Sequence, residues 1–353
     1  MTSRNLDLID FGWNAFFAAQ IESNELAALW PVRVMAVHRS RIRVAGLAVD
    51  TLIPPYIGSA EDEEAAATVG DWLLLDRGTL RPQRLLGRMN LFKRRAAGTG
   101  RRLQLIAANV DTLFIVSSCN QEFNLARLER YLALAGEAGV TPVVVLTKSD
   151  LVDNAEALAS AAARLRPHLL VETLDARNSV GVRNLLPWCD RGQTVALVGS
   201  SGVGKSTLIN SLMGHDRIAT QEIREDDDKG RHTTTGRALY RMNAGGLLLD
   251  TPGMRELQLT DVESGLANLF SDIVSLAETC RFKDCRHKSE PGCAVLAAVE
   301  SGALSSERVK RWRKLDAEEA HNTSSLSERR ARERSFGKLV RRATKDKKSR
   351  QGE

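Results

Sequence analysis

From about residue 110 the chain alternates between continuous apolar runs and amphipathic stretches. The segments "DTLFIVSS", "TPVVVLT", "HLLVETL" and "QTVALVG" read as buried strands, and "NLARLERYLALAGEAG", "NAEALASAAARLR" and "GKSTLINSLMG" read as helices between and after them. "RALYRM" and "GLLLD" add two further strands. Continuous apolar strands separated by amphipathic helices predict an α/β domain with a mainly parallel sheet and helices on both faces. We expect this domain over 106–260. Residues 31–105 have another pattern: "VRVMAVH", "RIRVAG", "DWLLLD" and "QRLLGRM" are short β-rich runs, and the acidic "SAEDEEAAATVGD" at 59–71 reads as a loop. A small OB-like β-barrel fits that spacing, as other small β domains do. Residues 1–30 read as a short amphipathic helical lead ended by Pro31. Residues 261–320 read as a helical domain, and 321–353 as a polar, basic tail.

Glycine and polar motifs sit where the apolar strands stop. "GSSGVGKS", Gly199 to Ser206, follows a strand and opens a helix. It matches G-x-x-x-x-G-K-[ST], a loop whose backbone N–H groups face phosphates at a helix N-terminus. Gly199, Ser200, Ser201, Gly202, Val203, Gly204 and Thr207 are expected to line the nucleotide. Lys205 is expected at the β- and γ-phosphates and Ser206 on Mg²⁺. "DTPG", Asp250 to Gly253, ends a second strand. Its acid can hold Mg²⁺ through water, and Gly253 can offer its N–H to the γ-phosphate. The polar "QEIREDDDKGRHTTTG" between them suits a switch segment. One of Thr233, Thr234 and Thr235 completes the magnesium shell in this reading, with Thr234 favoured; the other reading of these threonines is the start of the next strand.

"TKSD", Thr147, Lys148, Ser149 and Asp150, ends another apolar strand. Asp150 can accept from guanine N1–H and its exocyclic amine, a pair that adenine does not offer, so the carboxylate selects GTP and GDP. The stem of Lys148 can lie over the base. In "LDAR", Ala176 is placed near the guanine oxygen as a backbone donor. The base reader here precedes the phosphate loop, the reverse of the usual order. Joining old termini and cutting new ones leaves each strand–loop–helix unit whole, so every loop can still meet at one rim. A domain attached after D-x-x-G can then be moved by nucleotide state.

Composition narrows the setting. The net charge of +6 is modest, but residues 329–350 hold eleven Lys or Arg against two acids. That excess favours a polyanion; a solvated, disordered end is the plainer reading. "GRMNLFKRR" is a second basic run. No apolar run reaches the roughly 18–20 residues that cross a bilayer. The N-terminus lacks the basic start and apolar core of a signal peptide. We therefore expect a cytoplasmic chain with no membrane partner, and a monomer. Cys280, Cys285, His287 and Cys293 offer three thiolates and an imidazole in a C-x₄-C-x-H-x₅-C arrangement. Four such ligands suit one closed, structural Zn²⁺ site, with Pro291 and Gly292 supplying the turn that returns Cys293. Cys119 and Cys189 read as ordinary semi-buried thiols. Arg281, Lys283, Arg286 and Lys288 surround the cluster and either touch RNA phosphates or form a solvated surface.

The permuted order, "GSSGVGKST", "GRHTTT", "DTPG" and "CRFKDCRHKSEPGC" together resemble the ribosome small-subunit-dependent GTPase A family, and "AANVDTLFIVSS" at 107–118 is also similar to it. The resemblance covers about 30–320. It implies an N-terminal OB-fold, a circularly permuted P-loop GTPase domain and a C-terminal zinc-binding domain. It also implies late maturation of the small ribosomal subunit, with GTP hydrolysis stimulated by that subunit.

Where many GTPases have a water-orienting glutamine after D-x-x-G, this chain has Met254. His232 is the nearest candidate to position water; a surface histidine in a loop is the alternative. Slow intrinsic turnover, on the order of 10⁻⁴–10⁻² s⁻¹, is expected. The leading reading is thus a GTPase whose hydrolysis times release from the maturing small subunit, with the OB-like, zinc and tail regions holding rRNA. A second is a nucleotide-gated rRNA-binding protein in which hydrolysis is incidental. A third, an ATPase or kinase, is opposed by Asp150.

Overall fold

The segment LWPVRVMAV forms β1 (Leu29–Val37), around which the larger part of the molecule is organised. The structure, a computed structural model, describes residues 7–38, 40–59, 62–95, 103–214, 237–250 and 262–323. It divides into two compact units. Among described residues the first contains 7–95, 103–250 and Ser264–Ser271, and 262–263 and 272–323 belong to the second.

In the first unit β1 pairs antiparallel with β2 (Ile42–Ala45) on one edge and with β4 (Trp72–Asp76) on the other. β3 (Asp50–Ile53) extends from β2, and β5 (Pro82–Leu85) from β4. Val32, Val34, Ile42, Val44, Ile53, Leu73 and Leu75 form one apolar core within these strands. β6 (Leu91–Arg95) and β7 (Leu103–Ala108) make a separate antiparallel pair. The sequence shows the first of these only as a basic run.

Pro31 does not end a helix. It lies inside β1, after two four-residue helices, α1 (Ala15–Ala18) and α2 (Glu25–Ala28). The Ala28 and Val34 carbonyls accept from Arg77 and Gly70 N–H at 3.0 and 2.9 Å, so even-numbered residues of β1 face β4. Pro31 faces the opposite edge, where pairing with β2 begins only at Arg33 and Ala45. Its missing N–H therefore costs no ladder bond.

The α/β part has the order β10 (Leu170–Thr173), β9 (Thr141–Thr147), β8 (Thr112–Ser118), β11 (Thr194–Val198), β13 (Leu247–Asp250), β12 (Arg237–Arg241). The first five are parallel, and β12 is antiparallel to β13. Phe114, Val116, Val143, Val145, Val195 and Leu197 share a cluster with Leu208, Ile209 and Leu212 of α6 (Lys205–Met213). The alternate residues Leu113, Ile115, Val144 and Ala196 are also buried, so both sheet faces are covered. α3 (Leu125–Ala138) packs on β8 and β9, with Asn124 capping its start through Arg127 N–H at 3.1 Å. β12 also pairs with β1, Ala36 opposite Ala238 and Val37 opposite Arg237, which makes one continuous mixed sheet.

Arg33 joins the parts of this unit. It is 1% exposed, and its guanidinium donates to the carbonyls of Phe11 at 2.6 Å, Asn109 at 2.8 Å and Gly70 at 3.1 Å. Burial pulls its pKa down to about 10, which leaves it charged at neutral pH. The turn before α1 is held a second time where Asp10 accepts from Arg191 Nε at 2.7 Å.

α4 (Ala155–Ala163) packs on β10, and a short α5 (Ser179–Val182) packs on α6. α7 (Glu263–Leu269) meets α3 closely: a Cβ on Gly265 would lie 2.1 Å from the Ala133 carbonyl. The second unit contains most of α8 (Ser271–Ala277), then α9 (Ala294–Glu300) and α10 (Ser306–Thr323). Arg308 and Asp272 tie α10 to α8 at 2.9 Å.

Candidate nucleotide and metal sites

Parallel pairing places the C-terminal ends of β8, β9, β11 and β13 on one rim, where such sheets bind ligands. The glycine loop leaves β11 there. Gly199 has φ +146°, and a Cβ on it would meet the Val116 carbonyl at 2.2 Å, so no other residue fits without movement. Lys205 opens α6 and is buried, with its ammonium donating to the carbonyls of Gly199 at 2.7 Å and of Ser200. Ser206 and Thr207 follow in the first turn of α6.

The loop expected to read the base leaves β9 beside it. Thr147 is fully buried, and its hydroxyl donates to the Val203 carbonyl at 2.6 Å. Lys148 takes φ +58° and donates through Nζ to the Gly202 carbonyl at 2.9 Å. The two loops are thus bonded directly, although the chain order is permuted. Ser149 and Asp150 follow in a short 3-10 turn. The loop after β10 completes this end of the rim, with the Ser211 hydroxyl of α6 donating to the Ala176 carbonyl at 2.6 Å. Arg177, which the sequence reading did not single out, donates through Nη2 to Asp150 Oδ2 at 2.7 Å and through Nε to Asp175 Oδ1 at 3.1 Å. The Arg177 hydrogen bond is the main reason the Asp175 carboxyl lies below its ordinary value.

Asp250 ends β13, one residue beyond the Leu249–Ala196 pairing with β11. The expected D-x-x-G acid and phosphate loop are therefore on neighbouring strands. His232, Thr233, Thr234, Thr235, Gly253 and Met254 lie outside the described residues.

In the second unit the donor atoms of Cys280, Cys285, His287 and Cys293 all lie within 4.8 Å of one another. His287 Nδ1 is 3.6 Å from Cys280 Sγ and 3.4 Å from Cys293 Sγ, and the two sulfurs are 3.8 Å apart. This donor set could hold a metal ion. Gly292, at φ +74°, makes the turn that returns Cys293, and the Gly292 carbonyl accepts Arg281 N–H at 3.1 Å. Cys293 then caps α9, its sulfur accepting Leu296 N–H at 3.5 Å. Glu290 rigidifies the loop by accepting the N–H groups of Lys288, Ser289 and Arg286 at 2.7, 3.0 and 3.1 Å, which brings its pKa down to about 2. Beside the cluster lies a cavity of about 860 Å³ whose lining includes Phe282, Trp312, Lys283, Arg286, Lys288 and Arg313. Cys119 and Cys189 are buried in the first unit, and burial pushes the Cys189 thiol up to about 12.

The sequence model of the RsgA GTPase family matches residues 85–260. The chain is 47% identical over 351 residues to the Small ribosomal subunit biogenesis GTPase RsgA 2 of Vibrio parahaemolyticus, covering 99% of this chain and 96% of that one. The chain belongs to the RsgA GTPase family. It is 49% identical over 330 residues to the Small ribosomal subunit biogenesis GTPase RsgA of Mesorhizobium japonicum, covering 92% and 93% of the two chains. The fold is similar to the crystal structure of YloQ, a circularly permuted GTPase, with TM-score 0.55, 21% identity and coverage of 84% and 97%. Family membership makes this chain a GTP hydrolase, and the fold is the circularly permuted one. Among the described residues no helix is long and apolar enough to cross a membrane.

Proposed function

We propose that this GTPase of small ribosomal subunit biogenesis binds the maturing small subunit late in its assembly and hydrolyses GTP to GDP and phosphate. The subunit stimulates turnover, and the nucleotide state times release. The near full-length likeness to relatives named for small-subunit biogenesis carries this reading. The bonded loops supply its chemistry: Lys205 and the glycine loop seat the phosphates, and Asp150 with Lys148 and Ala176 reads guanine. Ser206 and Thr234 complete the Mg²⁺ shell, with Asp250 near it and Gly253 on the γ-phosphate. Met254 cannot orient water, and His232 takes that role on its sequence position.

Zinc is the ion proposed for the cysteine cluster. Tetrahedral zinc with ordinary bond lengths has S···S edges of about 3.8 Å and S···N edges of about 3.5 Å. The distances of 3.8, 3.6 and 3.4 Å support that fit. With all four positions taken by protein, the ion's part is to hold the loops in place. The cations around the neighbouring cavity, with Trp312 and Phe282, suit rRNA phosphates and bases. The protein works as a cytoplasmic monomer in this reading.

The test is GTP turnover with and without purified small subunits, beside matched large subunits. A rise specific to small subunits, lost in His232→Ala, is expected. No rise, with GTP binding and metal content intact, overturns the reading in favour of a nucleotide-gated RNA-binding protein.

A further inference from the structure

Arg177 lies one residue beyond Ala176, and its guanidinium bridges two carboxylates on the base-reading rim. It is fixed from one side by Asp175, whose Oδ1 accepts both Arg177 N–H at 3.0 Å and Nε at 3.1 Å. From the other it donates through Nη2 to Asp150 Oδ2 at 2.7 Å. The loop carrying it is anchored to α6 by the Ser211 hydroxyl on the Ala176 carbonyl at 2.6 Å. Asp150 itself is held by a single short turn after β9.

A carboxylate has about four lone-pair sites on its two oxygens. Arg177 takes one on Oδ2. Guanine needs one on each oxygen, for N1–H and for the 2-amino group, so the arginine and the base can share the carboxylate. A carboxylate free to rotate satisfies both base donors only part of the time. One whose rotation is already restricted meets both more readily, which lowers the ordering cost of binding.

We propose that Arg177 is a positioning residue for base selection: by holding Oδ2 of the Asp150 carboxylate, it limits the rotation of that group and lets this chain demand the 2-amino group of guanine as well as N1–H. The proposal rests on Asp150 being the base reader. The ligand class it separates is guanine from hypoxanthine nucleotides, which differ in that amino group alone. Lysine cannot replace the arginine, because a single ammonium cannot hold the Asp175 fork and reach Asp150 in one plane.

The experiment is equilibrium binding of GDP and IDP to the full chain and to Arg177→Ala, Arg177→Lys and Asp150→Asn. The bridge is partly exposed, so its effect is modest: the preference for GDP over IDP should fall about threefold to fivefold in Arg177→Ala, with little recovery in Arg177→Lys. Equal loss of both nucleotides, or an unchanged preference, overturns the proposal, because a merely structural arginine would not move the ratio. Asp150→Asn separates the two levels. If it abolishes guanine preference while Arg177→Ala leaves the ratio alone, the base reader stands and the arginine's role falls. If Asp150→Asn changes nothing, both fall together.

Discussion

The Thr147 hydroxyl donates to the Val203 carbonyl at 2.6 Å, binding the TKSD loop after β9 to the glycine loop after β11, 56 residues away in sequence. Thr147→Val keeps the shape of the side chain and removes only the donor, leaving a buried carbonyl unpaired. Nucleotide affinity should weaken by roughly fivefold to tenfold, the size of one buried hydrogen bond. Titration calorimetry with GDP checks this, and unchanged affinity would show that the loops are aligned by something else.

Arg33 is expected to be the most costly single position in the first unit. Arg33→Met strands the carbonyls of Phe11 and Asn109 in a buried site, while the Gly70 carbonyl keeps the Asn109 side-chain amide at 3.0 Å. The expected loss is about 3–5 kcal/mol, read from urea unfolding. Arg33→Lys should recover little of it, since an ammonium cannot span the same fork. A loss under about 1 kcal/mol would mean that water or a local shift replaces the guanidinium.

The Asp10–Arg191 bridge should show in acid. Arg191 hydrogen bonding holds the Asp10 carboxyl below its ordinary 3.8. A carboxyl lowered in the folded state stabilises above its unfolded pKa and loses that contribution as pH falls through the folded one. Asp10→Asn should therefore be less stable by roughly 0.5–1 kcal/mol at pH 7, a small figure because Arg191 is half exposed. The gap from the parent should close as pH is taken below 3.8. A gap that stays constant with pH would assign the effect to packing.

Thiol counting separates the two classes of cysteine. In the metal-loaded native protein, Cys119 and Cys189 should resist a disulfide reagent because both are buried, and the cluster thiolates should be shielded by the ion. Chelation should expose Cys280, Cys285 and Cys293, and denaturation should release all five. Fast reaction of three thiols before any chelator is added would rule out a closed metal site.

The loops were legible because their chemistry is local. Glycines at 199 and 204, a lysine at a helix start and an acid after an apolar strand each announce themselves over a few residues. The strands of the α/β part were legible because burial on both faces leaves unbroken apolar runs such as Phe114 to Val116. The role of Arg33 was hidden, since its partners are backbone carbonyls at 11, 70 and 109, and a carbonyl leaves no mark in sequence. Pro31 misled because a proline stops a helix by rule, yet it can sit on a strand edge that needs no N–H. The β6–β7 pair was obscured by Lys93, Arg94 and Arg95, whose charge reads as surface while their backbone still forms a ladder. Arg177 was missed because its meaning depends on Asp150, 27 residues away, which only the pairing of β9 with β10 brings to it.

The pairing of β12 with β1 limits how motion can travel. β12 begins at Arg237, directly after the stretch that carries His232 and Thr234, and it is bonded to β13 on one side and β1 on the other. A strand in such a seat cannot creep. A slip of one residue would turn Leu239 out of the core, and a slip of two would carry it about 7 Å. The joint with β1 is two residue pairs long, Ala36 with Ala238 and Val37 with Arg237, and it ties the antiparallel strands around β1 to β13 in one register, like two leaves fixed to one spine.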